Sequence, residues 1–502
     1  MIQTVENIGE KLVSMLTYDA SQPLIFSSGL FLFLFAGFLF FYGFTRRAPM
    51  ARIVYVILFS LYFYYKSSGI YFLLLVFASV SDYWIAHAIY KVRTQRAKYW
   101  LVGLSILVNL GMLGYFKYTN FLIEIANNLF GQGFLNFQNI FLPVGISFFV
   151  FQSMSYTIDI CRGQLKPLNN WADYLFYLSF FPQLVAGPIV RAKDFIPQIR
   201  QNPLRVTREM FGMGVFLILI GLFKKAVISD YISLNFVDRI FDEPLLYSGF
   251  ECLMGIYGYA LQIYCDFSGY TDIALGGARM LGFKLSPNFN RPFIAQTTAD
   301  FWRRWHMSLS FWVRDYLYLP LSSSLRGWGQ WGVFLSLALT FTGLGIWHGA
   351  GWNFAVYGLI QGVIIFYEMK TTAFHRRLKA QLGSRLYATL SVVRTYLLFA
   401  VSLIFFRASS MAEAFHYISH LSFGVHYSWK EMNIGMPDHN SIVAGSALVL
   451  ILVYEYFMSK HDLLEALGRQ PTAVRWSIYY LLAIILFTLG QFNSDSFIYL
   501  QF

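Results

Sequence analysis

The sequence has few charged residues, and this scarcity excludes an ordinary soluble protein. Asp, Glu, Lys and Arg make up 13% of the 502 residues, against about 25% in a typical soluble domain. Hydrophobic residues make up 57% and aromatic residues 20%, and the mean hydropathy is +0.51. This composition predicts an integral membrane protein that crosses the bilayer several times.

Cysteine is also scarce, and the histidines lack metal-binding spacing. The three cysteines, Cys161, Cys252 and Cys265, form no CxxC pair, so neither a disulfide framework nor a zinc site is indicated. No HExxH pattern is present either, which argues against metal catalysis. We therefore expect no metal and no permanently bound cofactor.

Internal repeats and nucleic-acid-binding patterns are missing as well. The formal net charge of +12 comes from Lys and Arg in short clusters between apolar runs, as the positive-inside bias predicts, and not from one basic domain. This argues against nucleic-acid binding. No repeat of roughly 20–50 residues is visible, which argues against a solenoid. The two halves also show no clear similarity of the kind seen in inverted-repeat transporters.

Apolar runs of spanning length predict an all-α integral membrane fold with about ten to twelve transmembrane helices. The runs lie near 25–45, 52–65, 69–90, 99–116, 138–158, 210–223, 247–265, 330–347, 352–367, 386–406, 441–458 and 475–493. Basic residues follow the first run at 46–52 and the third at 91–98, whereas the loop between the second and third runs holds only Lys66. By the positive-inside rule, the first and third runs end in the cytoplasm and the N-terminus lies outside.

Two segments are not expected to be ordinary crossings. Residues 1–24 precede the first apolar run and end in no small-residue cleavage site, which predicts an amphipathic lead-in and not a signal peptide. The segment 172–190 contains Pro182, Gly187 and Pro188, which are poor interior residues for a spanning helix. A full crossing there would also place a basic cluster outside, so we predict a re-entrant element, with a kinked ordinary crossing as the alternative.

A polar block between Asp266 and Gly327 interrupts the apolar runs. If residues 299–316 form a helix, with about 100° of rotation per residue, the helix has one polar face and one apolar face. The polar residues are Arg303, His306, Ser310 and Arg314, and the apolar ones are Trp302, Trp305, Leu309 and Trp312. The segment is either a membrane-surface helix, whose arginines meet lipid phosphates and whose tryptophans lie in the interface, or a site where the arginines bind an anionic cofactor through its phosphates. Asp300 and Arg304, four residues apart, are predicted to form a structural ion pair.

His348 lies in the sequence WHGAGW at 347–352, between two apolar runs. A group that titrates near neutral pH is costly in hydrocarbon unless a partner or water supports it, which makes His348 a candidate functional residue. The runs at 332–347 and 352–367 give about 24 Å of helix each, against a hydrocarbon core of about 30 Å. We therefore expect the turn and His348 to lie at membrane depth. The alternative is a buried structural histidine at a helix turn.

Several motifs, in this order along the chain, resemble the membrane-bound O-acyltransferase family, and its bacterial alginate O-acetylation branch is the nearest match. They are DFSGYTD at 266–272, FWRRWHMSLS at 301–310, RDYLY at 314–318 and WHG at 347–349. Further agreement comes from IFSS at 25–28, LPVGISF at 142–148, FPQ at 181–183 and AGPIVR at 186–191. The resemblance covers about residues 25–360. Two departures, the long lead-in and SSSLRG at 322–327 in place of a Gly-Gly-Asn-Arg turn, leave the acceptor open.

The resemblance implies a bundle with re-entrant segments around a central funnel, with a catalytic core at 25–370 that transmembrane helices at 371–502 complete. The family's near-invariant histidine corresponds to His348, and its second conserved polar position corresponds to His306. A neutral imidazole can take the proton of an attacking hydroxyl while a second group stabilises the oxyanion. The expected substrate-binding residues are Arg303, Arg304, Arg314, Asp266, Asn290 and Ser310.

The resemblance also implies a reaction and its partners. Acetyl from cytoplasmic acetyl-CoA is expected to cross the bacterial inner membrane for O-acetylation of an alginate-like polymer or cellulose, through an extracytoplasmic SGNH-like partner with a serine nucleophile. An alternative within the family is transfer of D-alanyl or another acyl group to teichoic acid or peptidoglycan. An alternative outside enzymes is a transporter of lipid-linked sugars.

Overall fold

A computed structural model gives the fold of residues 11, 13–45, 47–185, 187–201, 204–421, 453, 463–491 and 498. These residues contain many helices and no strand, which confirms the all-α prediction. Six of their helical segments are long and apolar enough to cross a membrane: Pro49–Lys91, Gln95–Phe130, Arg208–Asp242, Arg326–His348, Ser384–Arg407 and Thr472–Leu489. Except for residue 453, the predicted run at 441–458 lies outside the described residues, as do the first ten residues of the lead-in, so the total number of crossings stays a prediction.

The chain divides into two compact units. Unit 1 comprises Met1–Ile218 and Ile273–Ser286. Its helices are α1 Gly29–Thr45, α2 Pro49–Ser68, α3 Phe72–Lys91, α4 Gln95–Leu113, α5 Thr119–Phe130, α6 Ile146–Cys161, α7 Trp171–Ser179, α8 Phe181–Leu184 and α9 Ala192–Ile199, followed by α10 Arg208–Leu222, which ends in unit 2.

Unit 2 comprises Leu219–Asp272 and Pro287–Phe502. Its helices are α11 Asp230–Ile232, α12 Asp238–Asp242, α13 Gly249–Met280, which ends in unit 1, α14 Thr298–Arg304, α15 Met307–Val313, α16 Leu319–Ser324, α17 Gly329–His348, α18 Trp352–Lys370, α19 Thr372–Leu382, α20 Ser384–Arg407, α21 Met411–His420, α22 Leu463–Gly468 and α23 Thr472–Leu489. Wider π-helical turns occur at Phe223–Ser229, Ser233–Val237 and Arg314–Tyr318.

Unit 1 contains a fully buried polar cluster around Asp82 on α3, a helix that packs against α4, α6 and α7. The Asp82 carboxylate accepts hydrogen bonds from Ser105 Oγ at 2.7 Å, from Asn109 Nδ2 at 2.6 Å and from Ser153 Oγ. Ser153 is in turn hydrogen-bonded to the hydroxyl of Tyr174 at 2.8 Å. Polar side chains that bond across helices in this way hold a membrane bundle together.

The segment 172–190 is not one continuous helix, and this break is compatible with both the predicted re-entrant element and the alternative of a kinked crossing. α7 has nine residues and is therefore about 14 Å long, roughly half the hydrocarbon core. The chain breaks at Phe180, and the ring of Phe181 lies within 6.4 Å of seven other phenylalanine rings among the described residues. The backbone N–H of Phe181 donates to Ser60 Oγ at 3.1 Å. Protein groups thus surround the break and satisfy part of its backbone.

In unit 2, α17 and α18 pack backbone against backbone. A Cβ atom added at Gly345 would lie 2.1 Å from the carbonyl oxygen of Phe354, and one added at Gly358 would lie 2.0 Å from that of Phe341. Real Cβ atoms do not approach carbonyl oxygens so closely, so any side chain at either position would push the helices apart. Small residues of this kind let two membrane helices approach each other.

Helices α17 and α18 are longer than their apolar runs predicted. The two helices have 20 and 19 residues, or about 30 and 28 Å, whereas the apolar runs predicted about 24 Å each. They are longer because Gly329–Trp331 extends the start of α17 and Glu368–Lys370 extends the end of α18. Helix length therefore no longer supports the prediction that His348 lies at membrane depth.

Candidate active site

His306 interrupts the helix that was predicted over 299–316, so that prediction is wrong. α14 ends at Arg304 and α15 begins at Met307, and His306 between them adopts φ 42° and ψ 53°. A non-glycine residue at positive φ is uncommon and unfavourable. The helical pattern of the sequence contains no sign of this break, because the surroundings of His306 and not its helix propensity impose it.

Asn288 holds the turn at His306 through four hydrogen bonds. Its backbone oxygen accepts from Met307 N at 2.8 Å. Its side-chain Oδ1 accepts from Ser308 Oγ at 2.8 Å and from Ser308 N at 3.2 Å, and it lies 3.1 Å from Nδ1 of His306. Asn288 and His306 are both completely buried. Asn288 therefore fixes both the backbone of the turn and the ring of the histidine.

The structure brings His306 and His348 together around one tryptophan. His348 is the last residue of α17, and the ring of Trp347 lies 4.8 Å from its imidazole and 6.2 Å from that of His306. Phe267 contacts His306 at 4.6 Å, and Phe406 contacts His348 at 5.3 Å, both edge to face. The two imidazoles, separated by 42 positions in sequence, thus share one aromatic cage.

Burial controls the protonation of His306, which lies between two short helices and outside the candidate spanning segments. Loss of hydration is the main cause that lowers the pKa of this imidazole well below its usual range, and the nearby His348 lowers it further. The neutral ring is therefore the dominant form at neutral pH. A neutral imidazole can accept a proton, as a general base must.

A cavity of about 520 Å³ lies within unit 2, and neither His306 nor His348 is among the residues that line it. Its lining is mainly apolar side chains of α14, α15, α17 and α18. Ser310 lines it four residues after His306 and donates through its backbone N–H to His306 O at 2.9 Å, and Leu344 lines it four residues before His348 on α17. Four residues make about one helical turn. The cavity therefore comes within about a turn of both histidines.

A few polar groups border this cavity. Arg303 and Arg314 line it, as do the hydroxyl-bearing residues Ser310 and Thr340. The Thr340 side chain is 3% exposed, and its hydroxyl makes no hydrogen bond to any residue within the described ranges. A buried hydroxyl without a partner is costly, so a ligand atom in the cavity would relieve that cost.

The predicted substrate-binding residues separate into two groups. Arg303, Ser310 and Arg314 line the cavity, whereas Arg304, Asn290 and Asp266 do not. Arg304 pairs with Asp300 at 2.9 Å, which confirms the predicted structural ion pair. Asn290 Oδ1 accepts from the neighbouring Arg291 side chain at 3.1 Å.

Asp266 belongs to a separate buried ionic cluster. Its carboxylate lies 2.8 Å from Lys225 Nζ and accepts a 2.8 Å hydrogen bond from Ile498 N. Lys225 also pairs with Asp230 at 2.6 Å. The two side chains of the Asp266–Lys225 pair are each only 1% exposed. Asp266 is thus engaged in joining α13 to the turn at Phe223–Ser229 and to the chain near Ile498.

The tryptophans of the polar block are not interfacial anchors, which corrects the membrane-surface alternative. Trp302, Trp305 and Trp312 are all at most 8% exposed. Trp302 donates through Nε1 to Gln361 Oε1 at 3.1 Å and also lines the cavity. The break at His306 turns this segment into the protein interior, so its apolar face packs against protein and not against lipid headgroups.

Sequence reasoning missed Asn288 and Thr340. Asn288 stands two positions before Asn290, which was expected to bind substrate, but only the folded chain shows that Asn288 contacts His306. Thr340 lies in an apolar run without any motif. No group of three or more His, Cys, Asp or Glu residues that could hold a metal ion occurs in the part of the chain that the structure describes.

Residues 164–410 match the model of the membrane-bound O-acyltransferase (MBOAT) family. The chain is 35% identical over 442 residues to a probable alginate O-acetylase, AlgI, of Pseudomonas aeruginosa, a match that covers 86% of this chain and 81% of that protein. The range matched by the family model contains both histidines and every residue that lines the cavity.

Two other relatives carry different names. The chain is 35% identical over 386 residues to a peptidoglycan O-acetyltransferase of Helicobacter pylori, which covers 70% of this chain and 72% of that protein. It is 30% identical over 271 residues to a teichoic acid D-alanyltransferase of Bacillus subtilis, which covers 52% and 67%. The chain is therefore similar to acyltransferases whose names give different acyl groups and acceptors.

Proposed function

Because the chain belongs to the membrane-bound O-acyltransferase family, it is an O-acyltransferase of the membrane, and we propose that it takes acetyl from acetyl-CoA at the cytoplasmic face of a bacterial inner membrane. The acetyl group then serves the O-acetylation of an exopolysaccharide outside the cell. One observation carries this proposal: two buried histidines share an aromatic cage about one helical turn from a cavity that two arginines border.

The cavity has the mixed chemistry that acetyl-CoA requires. Arg303 and Arg314 can bind phosphate oxygens through charge-assisted hydrogen bonds. The apolar walls suit the pantetheine arm, and the hydroxyls of Ser310 and Thr340 can bond to its amides. The volume of about 520 Å³ lies within the range of about 300–1,000 Å³ for small-molecule pockets. The thioester at the end of the arm would then approach the histidines.

The two imidazoles supply the groups that acyl transfer needs. The acceptor oxygen attacks the thioester carbonyl carbon while its proton passes to a neutral imidazole. The carbon–sulfur bond then breaks, and the proton returns to the departing sulfur to give the free thiol of CoA. An N–H of the second imidazole stabilises the oxyanion that forms between these steps. His306 and His348 divide these two roles.

The acceptor is proposed to be a protein. Acetyl-CoA is cytoplasmic and the polymer is extracellular, so the acetyl group needs a path through the membrane and a carrier at its outer end. A serine of an extracytoplasmic SGNH-like partner fits this role, because a serine ester can be passed on to a polymer hydroxyl. The charge distribution of the early loops supports an extracytoplasmic N-terminus for this arrangement.

A second candidate is acyl transfer to a cell-wall polymer. The names of the Helicobacter pylori and Bacillus subtilis relatives favour it, and the same two histidines would serve it. The donor distinguishes D-alanylation, which takes an activated D-alanyl carrier, from acetylation, and the polymer that becomes labelled distinguishes acetylation of peptidoglycan from acetylation of an exopolysaccharide.

The proposal is tested with purified protein in liposomes and radiolabelled acetyl-CoA. We expect slow acetyl transfer or hydrolysis by the chain alone and faster turnover, with label on the partner, when the serine-nucleophile protein from the same genome is added. Label that appears only from a D-alanyl donor would favour the second candidate. Full-rate acetylation of polymer by the chain alone would overturn the partner step.

A pair of tryptophan substitutions on α17 tests the donor cavity. Leu344→Trp fills the cavity beside His348, whereas Leu339→Trp adds the same bulk on a face where Leu339 is 53% exposed. We expect Leu344→Trp to abolish protection of the protein against thermal unfolding by CoA, and Leu339→Trp to keep it. Equal protection by CoA in both variants would place the donor elsewhere.

A further inference from the structure

We infer that Asn288 is a positioning residue that selects the tautomer of His306, with the proton on Nδ1 and the lone pair on Nε2. This inference rests on the proposed function only in its catalytic consequence, because the tautomer itself can be measured in the inactive protein. Asn288 does not line the cavity, and we infer that it acts on the reaction through His306.

The orientation of the Asn288 amide follows from its contact with a backbone group. The backbone N–H of Ser308 can only donate, and it faces the Asn288 side chain at 3.2 Å. The atom that faces it must therefore be the oxygen Oδ1 and not the nitrogen Nδ2. A flipped amide would place two donors against each other and would lose the acceptor of Ser308 N.

The orientation of the amide then decides the tautomer of the histidine. Nδ1 of His306 lies 3.1 Å from the same Oδ1, and an amide oxygen can only accept. His306 must therefore donate through Nδ1–H, and in the neutral ring Nε2 keeps the lone pair. Since burial disfavours the imidazolium form of His306, this neutral tautomer dominates at neutral pH.

The backbone contacts show why a rigid partner is needed here. His306 has positive φ, a conformation that its own sequence does not favour. Asn288 O accepts from Met307 N at 2.8 Å, and Asn290 N donates to Arg304 O at 2.9 Å. These bonds tie the chain before and after His306 to the same short segment. The imidazole is thus held in both position and tautomer by residues 288–290.

The catalytic consequence concerns the proton of the acceptor hydroxyl. Nε2 is the nitrogen that can accept this proton when the hydroxyl oxygen bonds to the acyl carbon, and Nδ1–H keeps its bond to Asn288 throughout. In the opposite tautomer, Nε2 would carry a hydrogen and could not act as a base. Loss of the Asn288 oxygen should therefore lower kcat and leave the KM for the donor nearly unchanged.

The tautomer is measured by nitrogen-15 NMR of the full-length protein in lipid bilayers with labelled histidine. The spectrum of His306→Ala, subtracted from that of the parent protein, assigns the signals of His306 among the nine histidines. We expect Nδ1 to be protonated in the parent protein and the population to shift towards Nε2–H in Asn288→Ala. A protonated Nε2 with a bare Nδ1 in the parent protein, or an unchanged tautomer in Asn288→Ala, would overturn the inference.

Asn288→Asp provides a conservative variant. A carboxylate oxygen accepts from the same donors, so the Nδ1–H tautomer should persist and activity should exceed that of Asn288→Ala at least tenfold at neutral pH. The added negative charge raises the pKa of His306, so the acidic limb of the pH–rate profile should move to higher pH. An unshifted profile together with activity as low as that of Asn288→Ala would contradict the positioning role.

A matched control exists in unit 1. Asn127 also closes a loop, since its side chain accepts from Leu135 N at 2.7 Å and donates to Leu135 O at 2.9 Å, and within the described residues it forms no hydrogen bond to a histidine. Asn127→Ala should change the rate by less than twofold and leave the His306 signals unchanged. If Asn127→Ala moved those signals as Asn288→Ala does, a general loosening of the protein would explain both. Absence of acyl transfer with every donor would instead reject the proposed function and leave the tautomer result standing.

Discussion

The two units each bury a polar cluster, and the two clusters differ in what surrounds them. In unit 1, every group within hydrogen-bonding reach of Asp82 is a neutral donor on a neighbouring helix, and the cluster is completely enclosed. In unit 2, aromatic rings form the cage of His306 and His348, and a cavity comes within about a turn of both. The polar groups of the first cluster hydrogen-bond to one another and hold helices together. In the second cluster, packing against aromatic rings holds the two histidines near a cavity that a substrate can occupy.

Removal of either histidine should have the largest effect. His348→Ala and His306→Ala are each expected to lower the rate of acetyl transfer at least about 100-fold, because a general base or an oxyanion donor is lost. Each variant loses the packing of a buried ring, and His306→Ala also loses the bond to Asn288, so the rates are compared per folded molecule. Rates come from labelled acetyl-CoA and stability from thermal unfolding in detergent. His87→Ala, a histidine of α3 whose Nδ1 contacts Tyr83 O at 2.9 Å, is the control and should keep its rate within about twofold. A near-normal rate in a folded His348→Ala variant would remove His348 from the chemistry.

Asp82→Ala should have the opposite signature, with a large loss of stability and little loss of activity per folded molecule. It removes one buried acceptor from each of Ser105, Asn109 and Ser153, which keep their bonds to Thr157, to Ser105 O and to Tyr174, and each lost hydrogen bond to the carboxylate costs about 1–3 kcal/mol. Chemical denaturation should show a fall of roughly 3 kcal/mol or more in the free energy of unfolding, and Asp82→Asn should show a smaller one. A rate lowered as far as that of His348→Ala, at normal stability, would erase the contrast between the clusters.

Arg303→Gln and Arg314→Gln should raise the KM for acetyl-CoA about tenfold each and change kcat much less, because a charge-assisted bond to phosphate contributes about 1.5–3 kcal/mol. Steady-state kinetics at varied donor concentration measures this. Arg326→Gln, on an exposed arginine outside the cavity, is the matched control. A change in kcat alone would indicate that the two arginines support structure and do not bind the donor.

Thr340→Val keeps the shape of the side chain and removes its hydroxyl. If that hydroxyl bonds to the donor, the KM should rise about fivefold, the equivalent of roughly 1 kcal/mol. The stability should stay the same or increase, since a buried hydroxyl that lacks a partner among the described residues is replaced by a methyl group. An unchanged KM with increased stability would show that the hydroxyl has no ligand.

The pH dependence should show the smallest effect. An ordinary histidine becomes half protonated near pH 6.5, and a base with that pKa would lose half its rate there. Burial lowers the pKa of His306, so this ring stays neutral as the pH falls through about 6.5. The rate should therefore be nearly constant from neutral pH down to that value. A decline with a midpoint at or above it would show that the imidazole is more hydrated than its burial indicates.

The sequence was informative where a rule acts over one helical turn or one apolar run. The Asp300–Arg304 pair follows from a spacing of four, and the broken segment at 172–190 follows from its prolines and glycine. Sequence spacing could not bring His306 and His348 together, since tertiary packing around Trp347 does so. It also predicted a continuous helix through His306, because a histidine at positive φ leaves no trace in a helical pattern. Asn288 was overlooked for the same reason, as its importance lies in what it contacts.

The contact between α17 and α18 sets a limit on mutational tolerance. Gly345 and Gly358 take part in no chemistry, yet a single methyl group at either one would collide with a carbonyl oxygen of the other helix. The two helices flank the turn that begins at His348, so a displaced hairpin would move the imidazole relative to its cage. In a saturation screen that selects for polymer acetylation, we expect these two glycines to accept as few replacements as the histidines. Gly327, where an added Cβ would meet nothing within 4 Å, should accept many.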